Sequence, residues 1–190
     1  MTIGIYGGSF NPIHIGHTAL AQHLCINGYI DELWFMVSPQ NPLKTDSNLL
    51  DENIRLHLAK LATIHYPQLK ISDFEFHLPR PSYTVDTLHS LRTSYPNDEF
   101  VLIIGADNWL VFDRWKEPQD ILLHHRIIIY PRPGYEINES ELPKGVTLVD
   151  CPLFPISSTA IRQMIKAGQD YTEFVDQSVA NEIIKNKYYL

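Results

Sequence analysis

The sequence predicts a single α/β domain, built on a mostly parallel sheet with helices on both faces. Apolar runs of strand length alternate along the chain with amphipathic segments of helical spacing. The run 32–38 is almost continuously apolar, as in strands buried on both faces of a parallel sheet. The chain has 190 residues, 44% of them hydrophobic, which suffices for one well-filled core and is short for two domains.

The boundaries of the predicted elements follow from these runs and from capping residues. Asp51 is expected to cap the second helix, because its carboxylate can accept from the first free N–H groups. Capping alone would also explain Ser82 and Thr84, which follow prolines at the start of the third helix. The expected strands are residues 2–6, 32–38, 69–76, 99–105, 126–130 and 146–149. The expected helices are residues 18–25, 51–66, one that begins within 79–88, 108–115, 118–124, and a C-terminal part of about 157–190 with a helical pair in 171–188.

Composition and charge exclude several classes of protein. The formal charge of −7 provides no broadly basic face for nucleic acid, and no apolar run approaches the length of a membrane span. The chain begins directly with a strand, so no targeting segment is expected. Two cysteines, Cys25 and Cys151, indicate a reduced cytoplasmic protein rather than a disulfide scaffold. Positive potential for an anionic ligand must therefore be local.

A glycine-rich bend at residues 7–17 joins the first strand to the first helix. In a parallel sheet this position binds anions, because free N–H groups and the positive end of the helix dipole point there. The first helical turn, Gly16 to Leu20, carries no acid and contains His17, with His14 just before it. We therefore predict a phosphate site. An ordinary tight turn at Gly7, or half of a metal site formed by the two histidines, stays an alternative.

A second helix start, at residues 156–162, carries the same signal. Ser157 and Ser158 are ordinary capping residues, but Arg162 lies near the first turn, where the helix dipole disfavours a cation. An anion held between hydroxyls, backbone amides and the guanidinium removes this conflict. Two such helix starts suit the phosphates of one nucleoside triphosphate.

Both stretches resemble signatures of the nucleotidyltransferase superfamily, which moves a nucleoside monophosphate from a triphosphate to an acceptor. Residues 7–17, GGSFNPIHIGH, resemble G-[ST]-F-x-P-x-H-x-G-H, and residues 156–162, ISSTAIR, resemble I-S-S-T-x-I-R. Residues 81–88, the Gly105-x-Asp107 segment, the F-x-x-W pattern of Phe112 and Trp115, and residues 131–135 are similar to segments of the nicotinate-nucleotide adenylyltransferases. Leu43 departs from that family, which commonly has histidine there.

The resemblance implies a Rossmann-like nucleotidyltransferase fold and the transfer of AMP from ATP to nicotinate mononucleotide, giving deamido-NAD and pyrophosphate. It implies Mg²⁺ bound with ATP, no metal held by protein side chains, and catalysis by His14, His17 and Arg162. The residues expected to bind ATP are Gly7, Gly8, Ser9, Phe10, His14, Gly16, His17, Gly105, Asp107, Ser157, Ser158 and Arg162. Those expected to bind the acceptor are Asn41, Lys44, Thr84, Trp115 and Lys116, with the indole of Trp115 against the pyridine ring.

Two alternatives stay open at the level of sequence. One is adenylylation of another phosphate acceptor, such as nicotinamide mononucleotide or phosphopantetheine. The other is a regulatory module that binds nucleotide without turnover, against which the intact His14, His17, Ser158 and Arg162 argue. Release of pyrophosphate from ATP and an acceptor separates an enzyme from such a module. The sequence does not define the oligomeric state.

Overall fold

Six parallel strands form one sheet in the computed structural model, which describes residues 1–39 and 49–190. The strands are β1 (Thr2–Gly8), β2 (Glu32–Val37), β3 (Leu69–Ser72), β4 (Glu99–Gly105), β5 (Arg126–Tyr130) and β6 (Val146–Leu148). Their order is β3-β2-β1-β4-β5-β6, and every neighbouring pair is parallel. The direction of winding reverses between β1 and β4. In such sheets the crevice outside the strand ends at this reversal is the usual ligand site.

Helices cover both faces of the sheet, so the predicted single α/β domain is confirmed. The helices are α1 (Ile15–Ile26), α2 (Glu52–Thr63), α3 (Thr84–Ser94), α4 (Ala106–Trp109), α5 (Pro118–His124), α6 (Ser158–Lys166) and α7 (Gln177–Asn186). One apolar cluster lies under α1, α2, α6 and α7, and a second lies under α3, α4 and α5. Within the described residues, no helix is long and apolar enough to cross a membrane.

The expected strand over 69–76 is wrong in its second half. β3 ends at Ser72, whose hydroxyl oxygen accepts from the backbone N–H of Phe74 at 3.2 Å. This local bond turns the chain into a short 3₁₀ helix, Phe74–His77. The turn buries the carboxyl group of Glu75 where an extended strand would have continued along the edge of the sheet.

Two expected helices are also shorter than predicted. The segment 108–115 divides into α4 and a 3₁₀ helix, Phe112–Arg114. Its aromatic rings, Trp109, Phe112 and Trp115, are spaced by three, and they contact one another at 5.2 and 5.3 Å between centroids. Because side chains at i and i+3 eclipse in a 3₁₀ helix, this contact favours the tighter winding. In the C-terminal pair, the first member is a single 3₁₀ turn, Thr172–Phe174, and α7 packs against α2.

Candidate active site

The loop after β1, residues 8–12, is held by carbonyl bonds to distant parts of the chain. The carbonyl of Gly8 accepts from the N–H of Ser38 at 2.9 Å. The carbonyl of Pro12 accepts from the Ser158 hydroxyl at 2.8 Å, and that of Asn11 accepts from Arg162 Nη1 at 2.8 Å. These contacts join the two motifs that the sequence predicts to share one anion, so the start of α6 lies directly beside the start of α1.

His14 and His17 form a stacked pair at the start of α1. Their ring centroids are 3.6 Å apart, and the backbone N–H of His14 donates to Nδ1 of His17 at 3.2 Å. A neutral His17 that accepts at Nδ1 carries its proton on Nε2, which is therefore a donor. The first turn of α1 contains no acidic residue, as expected. Phe10, at φ 45°, adopts the left-handed region that non-glycine residues rarely occupy, and its ring lies 5.1 Å from that of His17.

Both histidines are neutral at neutral pH in the free protein. Burial, followed by the positive charge of Arg132, lowers the pKa of His14 to about 4. Burial also lowers the pKa of His17 well below its ordinary value, and the charges of His14 and Arg132 act in the same direction. The imidazoles can donate N–H groups to a phosphate, while the fixed positive charge of the site comes from arginine.

A cavity of about 440 Å³ opens above this loop, and we call it the histidine cavity. Ten of the twelve residues expected to bind ATP line it, which brings the two sequence motifs to one place. The other two are Gly105, in the wall of a second cavity, and Gly16, beside a small cavity of about 50 Å³ formed largely by residues 130–133 and 151–156. Sequence reasoning missed the small cavity, because residues 151–154, which complete its wall, form a loop without a recognisable motif.

Arg132 is a functional candidate absent from the predicted set. Its guanidinium lines the histidine cavity, where Nε lies 3.5 Å from Oδ1 of Asp107 and Nη2 donates to Tyr130 Oη at 3.0 Å. A Cβ at Gly105 would meet the Asp107 carboxylate, so a larger residue there would displace this carboxylate from its place beside Arg132. The resemblance of residues 131–135 to a family segment was the available signal.

Arg162 corrects one part of the sequence argument. An arginine near a helix start was expected to need a bound anion, but its guanidinium already donates to the Asn11 carbonyl. The partner comes from a loop far away in sequence, which a local reading of the helix could not supply. Arg162 still lines the histidine cavity, so it can both hold the loop and face a ligand.

The second cavity, about 180 Å³ in volume, is lined by Thr84, Trp115 and Lys116, and we call it the tryptophan cavity. Nε1 of Trp115 is buried without a hydrogen-bond acceptor in the described part of the chain. The ammonium of Lys116 lies 2.9 Å from the Asp86 carboxylate, so its charge is already paired. The two cavities adjoin each other, since both are lined by Tyr6, Gly7, Gly8, Asn108 and Tyr130. Asn41 and Lys44, also expected at the acceptor, lie outside the described residues.

Glu75 is the second functional candidate that sequence reasoning missed. It lines the tryptophan cavity and accepts from the hydroxyls of Ser82 and Thr87, at 3.2 and 2.9 Å. Burial raises the pKa of its carboxyl, and the hydroxyl bonds offset this in part.

The capping explanation for Ser82 and Thr84 is wrong, because α3 is preceded by Tyr83 and has no side-chain cap. Asp51, by contrast, caps α2 as predicted, accepting from a backbone N–H at 2.9 Å.

The fold, the paired helix starts and the adjoining cavities match those of a nucleotidyltransferase. Residues 5–164 match the model of the cytidylyltransferase-like family. A solved structure titled "Plasmodium falciparum nicotinic acid mononucleotide adenylyltransferase complexed with NaAD" has the same fold, with a TM-score of 0.84 and 24% identity. The match covers 99% of this chain and 97% of that one.

Curated relatives narrow the class. A Bacteroides fragilis (strain YCH46) protein is 52% identical over 182 residues, covering 96% of this chain and 90% of the relative. A Bacteroides thetaiotaomicron protein is 54% identical over 176 residues, covering 93% and 87%. Each is named "Probable nicotinate-nucleotide adenylyltransferase". The chain belongs to the nicotinate-nucleotide adenylyltransferases of the cytidylyltransferase-like family.

Proposed function

We propose that the protein transfers AMP from ATP to nicotinate mononucleotide, giving deamido-NAD and pyrophosphate in NAD biosynthesis. The observation that carries the proposal is that the two cavities share one wall, formed by Tyr6, Gly7, Gly8, Asn108 and Tyr130, at the reversal point of the sheet. The histidine cavity offers Arg132 and Arg162 to a triphosphate, and the tryptophan cavity offers an indole face to an aromatic ring. The names of the relatives, and the NaAD in the Plasmodium structure, support this choice of acceptor.

The chemistry follows from the charge of the acceptor. A phosphate monoester has a second pKa near 6, so it is mostly a dianion at neutral pH and needs no general base. One of its oxygens forms a bond to the α-phosphorus of ATP, while the bond from that phosphorus to the bridging oxygen breaks and pyrophosphate leaves. Catalysis is therefore the positioning of two anions and the stabilisation of charge on the transferring group. No covalent enzyme intermediate is required.

Each polar group of the histidine cavity has a role in this step. His17 Nε2 donates to the transferring phosphoryl group without bringing a proton that must later be returned. Arg132 and Arg162 supply the positive charge that the imidazoles lack in the free protein. The starts of α1 and α6 add backbone N–H groups at the positive ends of two helix dipoles.

The site also fits Mg²⁺ bound together with ATP. Mg²⁺ is usually held by substrate phosphates, water and one or two carboxylates, and within the described chain Asp107 is the one carboxylate lining the histidine cavity. When bound, the ion neutralises charge on the departing pyrophosphate.

A cytoplasmic location, expected from the two free cysteines, stays a prediction.

The test is direct detection of product. The purified protein is incubated with ATP, Mg²⁺ and nicotinate mononucleotide, and the dinucleotide and pyrophosphate are quantified together. We expect both in equal amounts. Parallel reactions with nicotinamide mononucleotide and phosphopantetheine identify the acceptor: turnover of one of these alone overturns the nicotinate proposal, and no pyrophosphate from any of them overturns adenylyl transfer.

A further inference from the structure

A fully buried arginine lies beneath both cavities without lining either one. Arg55, on α2, has 0% of its surface exposed. Its Nε donates to the carbonyl of Leu50 at 2.8 Å, and its Nη2 donates to that of Pro39 at 2.9 Å. Its Nη1 donates to the carbonyls of Ser9 and Ser38, at 2.6 and 2.9 Å. One guanidinium therefore binds four backbone carbonyls from three separate segments.

These segments form the walls of the two cavities. Ser9 belongs to the loop after β1 and lines the histidine cavity, while Ser38 follows β2 and lines the tryptophan cavity. Leu50 lies beside Leu49, which also lines the histidine cavity. The position of one wall relative to the other is thus set by a side chain that contacts neither ligand space.

The bonding of Arg55 is unusual for a structural residue. In the described part of the chain no carboxylate forms a salt bridge with it, and its hydrogen bonds all go to backbone carbonyls, although the nearby charges of Glu52 and Asp51 also favour the cation. Burying a cation is costly, and a well-packed apolar side chain of similar volume often gives equal or greater stability. What an apolar residue cannot provide is the planar fork that fixes several carbonyls at once.

The bond to Ser9 also orients the next peptide. The cis bonds of the described chain are at Pro12 and Pro81, so the peptide between Ser9 and Phe10 is trans. Its N–H points opposite to its carbonyl, and therefore away from Arg55. Ser9 and Phe10 line the histidine cavity, so the bond from Arg55 fixes the orientation of a peptide in the cavity wall.

We infer that Arg55 is a positioning residue, which holds the ATP side and the acceptor side of the site at one fixed separation. The inference rests on the proposed function, because in-line transfer requires the acceptor phosphate to meet the α-phosphorus in a narrow geometry. Loss of Arg55 should therefore reduce the rate at saturation by both substrates more than it raises either KM.

The experiment compares Arg55→Lys and Arg55→Met with the wild type and with Arg80→Ala as the matched control. Arg80 pairs with Glu52 at the surface, next to the same helix, and lines neither cavity. The readouts are kcat and both KM values per folded molecule, together with the melting temperature. We expect kcat to fall about 100-fold for Met and about tenfold for Lys, since small misplacements of reacting groups cost this much.

The outcomes separate the two proposals. A wild type that forms no dinucleotide contradicts the proposed function itself. An active wild type whose Arg55 variants keep kcat within twofold, with only a lower melting temperature, overturns the positioning role and leaves a structural one. If neither variant folds, Arg55 acts on the whole fold and the inference is also wrong. Arg80→Ala should retain wild-type kcat.

Discussion

The histidine and tryptophan cavities meet at the end of β1 but recognise ligands by different physics. The histidine cavity places two guanidinium groups, two neutral imidazoles and two helix starts around an open polar space. The tryptophan cavity is smaller, and its polar groups are mostly paired with one another: Glu75 with Ser82 and Thr87, and Lys116 with Asp86. The histidine cavity is therefore suited to an anionic ligand, whereas the tryptophan cavity is suited to a ligand selected mainly by its shape.

This difference predicts how each side responds to change. Removing a charge or donor from the histidine cavity should affect turnover and triphosphate binding strongly. In the tryptophan cavity, discrimination between acceptors should depend on which donors are left without a partner, because unpaired buried groups carry the penalty.

The largest effect is expected for His17→Ala. Removing the Nε2 donor should lower kcat by about 10²- to 10⁴-fold, since it acts on charge that develops in the transition state. The melting temperature should also fall modestly, because the ring contacts Phe10 and Tyr6. Steady-state release of pyrophosphate measures kcat, with exposed His57→Ala as control. Near-normal turnover in His17→Ala would remove His17 from the mechanism.

The next effect is acceptor choice. A nicotinate ring carries a carboxylate where nicotinamide carries an amide, and buried donors facing an amide N–H cost about 1 to 3 kcal/mol each. The Thr84 hydroxyl lies in this cavity and can donate to a ring carboxylate, whereas the Trp115 indole is proposed to stack on the ring. We expect kcat/KM to favour nicotinate mononucleotide by about 100-fold or more. Equal values for the two mononucleotides, at the same salt and Mg²⁺, would show that the cavity does not discriminate.

Arg162→Ala should have a smaller effect, confined to the nucleotide side. Loss of a charge-assisted pair should weaken a nonhydrolysable ATP analogue by about 2 kcal/mol, or about 30-fold in Kd. Because the bond to the Asn11 carbonyl is also lost, the free protein should melt at a lower temperature. Calorimetric titration and a melting curve measure the two effects. The control is Arg126→Ala, which breaks an exposed pair with Glu99; an unchanged Kd in Arg162→Ala would restrict Arg162 to structure.

The smallest expected effect is on how folding stability changes with pH, which differs between the two cavities. The pKa of His14 is lowered to about 4 in the folded protein, so the unfolded chain takes up a proton first and stability falls as pH drops from 6.5. This contribution is about 1 kcal/mol between pH 6.5 and 5.5. The pKa of Glu75 is raised, so its protonation favours the folded state as pH falls. Acidification therefore lowers the stability of the folded protein through His14, in the histidine cavity, and raises it through Glu75, in the tryptophan cavity.

Melting curves from pH 6.5 down to about 4.3, the ordinary pKa of a glutamate, test the signs. His14→Gln should flatten the loss of stability on acidification, and Glu75→Gln should make it steeper. Parallel curves for all three proteins would show that neither group changes its protonation on folding.

The two cavities also differ in how far the sequence predicts them. The histidine cavity depends on local motifs, in which spacing along one loop and one helix start already implies the ligand. The tryptophan cavity depends on Glu75, which enters it only because a serine bond ends β3 early. The strand pattern of 69–76 gave no sign of that turn. Arg132 and the partner of Arg162 were missed for the related reason that their contacts come from distant segments.

The fold itself was predictable, because β2, β4 and β5 are nearly continuous apolar runs and some helices begin with recognisable capping residues, such as Asp51 of α2 and Ser157 of α6. The errors were confined to short segments, where a single side-chain bond or a row of stacked aromatic rings outweighs propensity.

The bond from Ser158 to the Pro12 carbonyl joins residues 146 positions apart in sequence. Closing so long a loop costs chain entropy before any contact compensates for it, so we expect the histidine cavity to be completed late in folding. On a ribosome, the first motif emerges well before α6, and it meets its second half only when most of the chain has been made. A nucleotide bound in the completed cavity would hold the two ends of the sequence together and so would favour the native state by mass action.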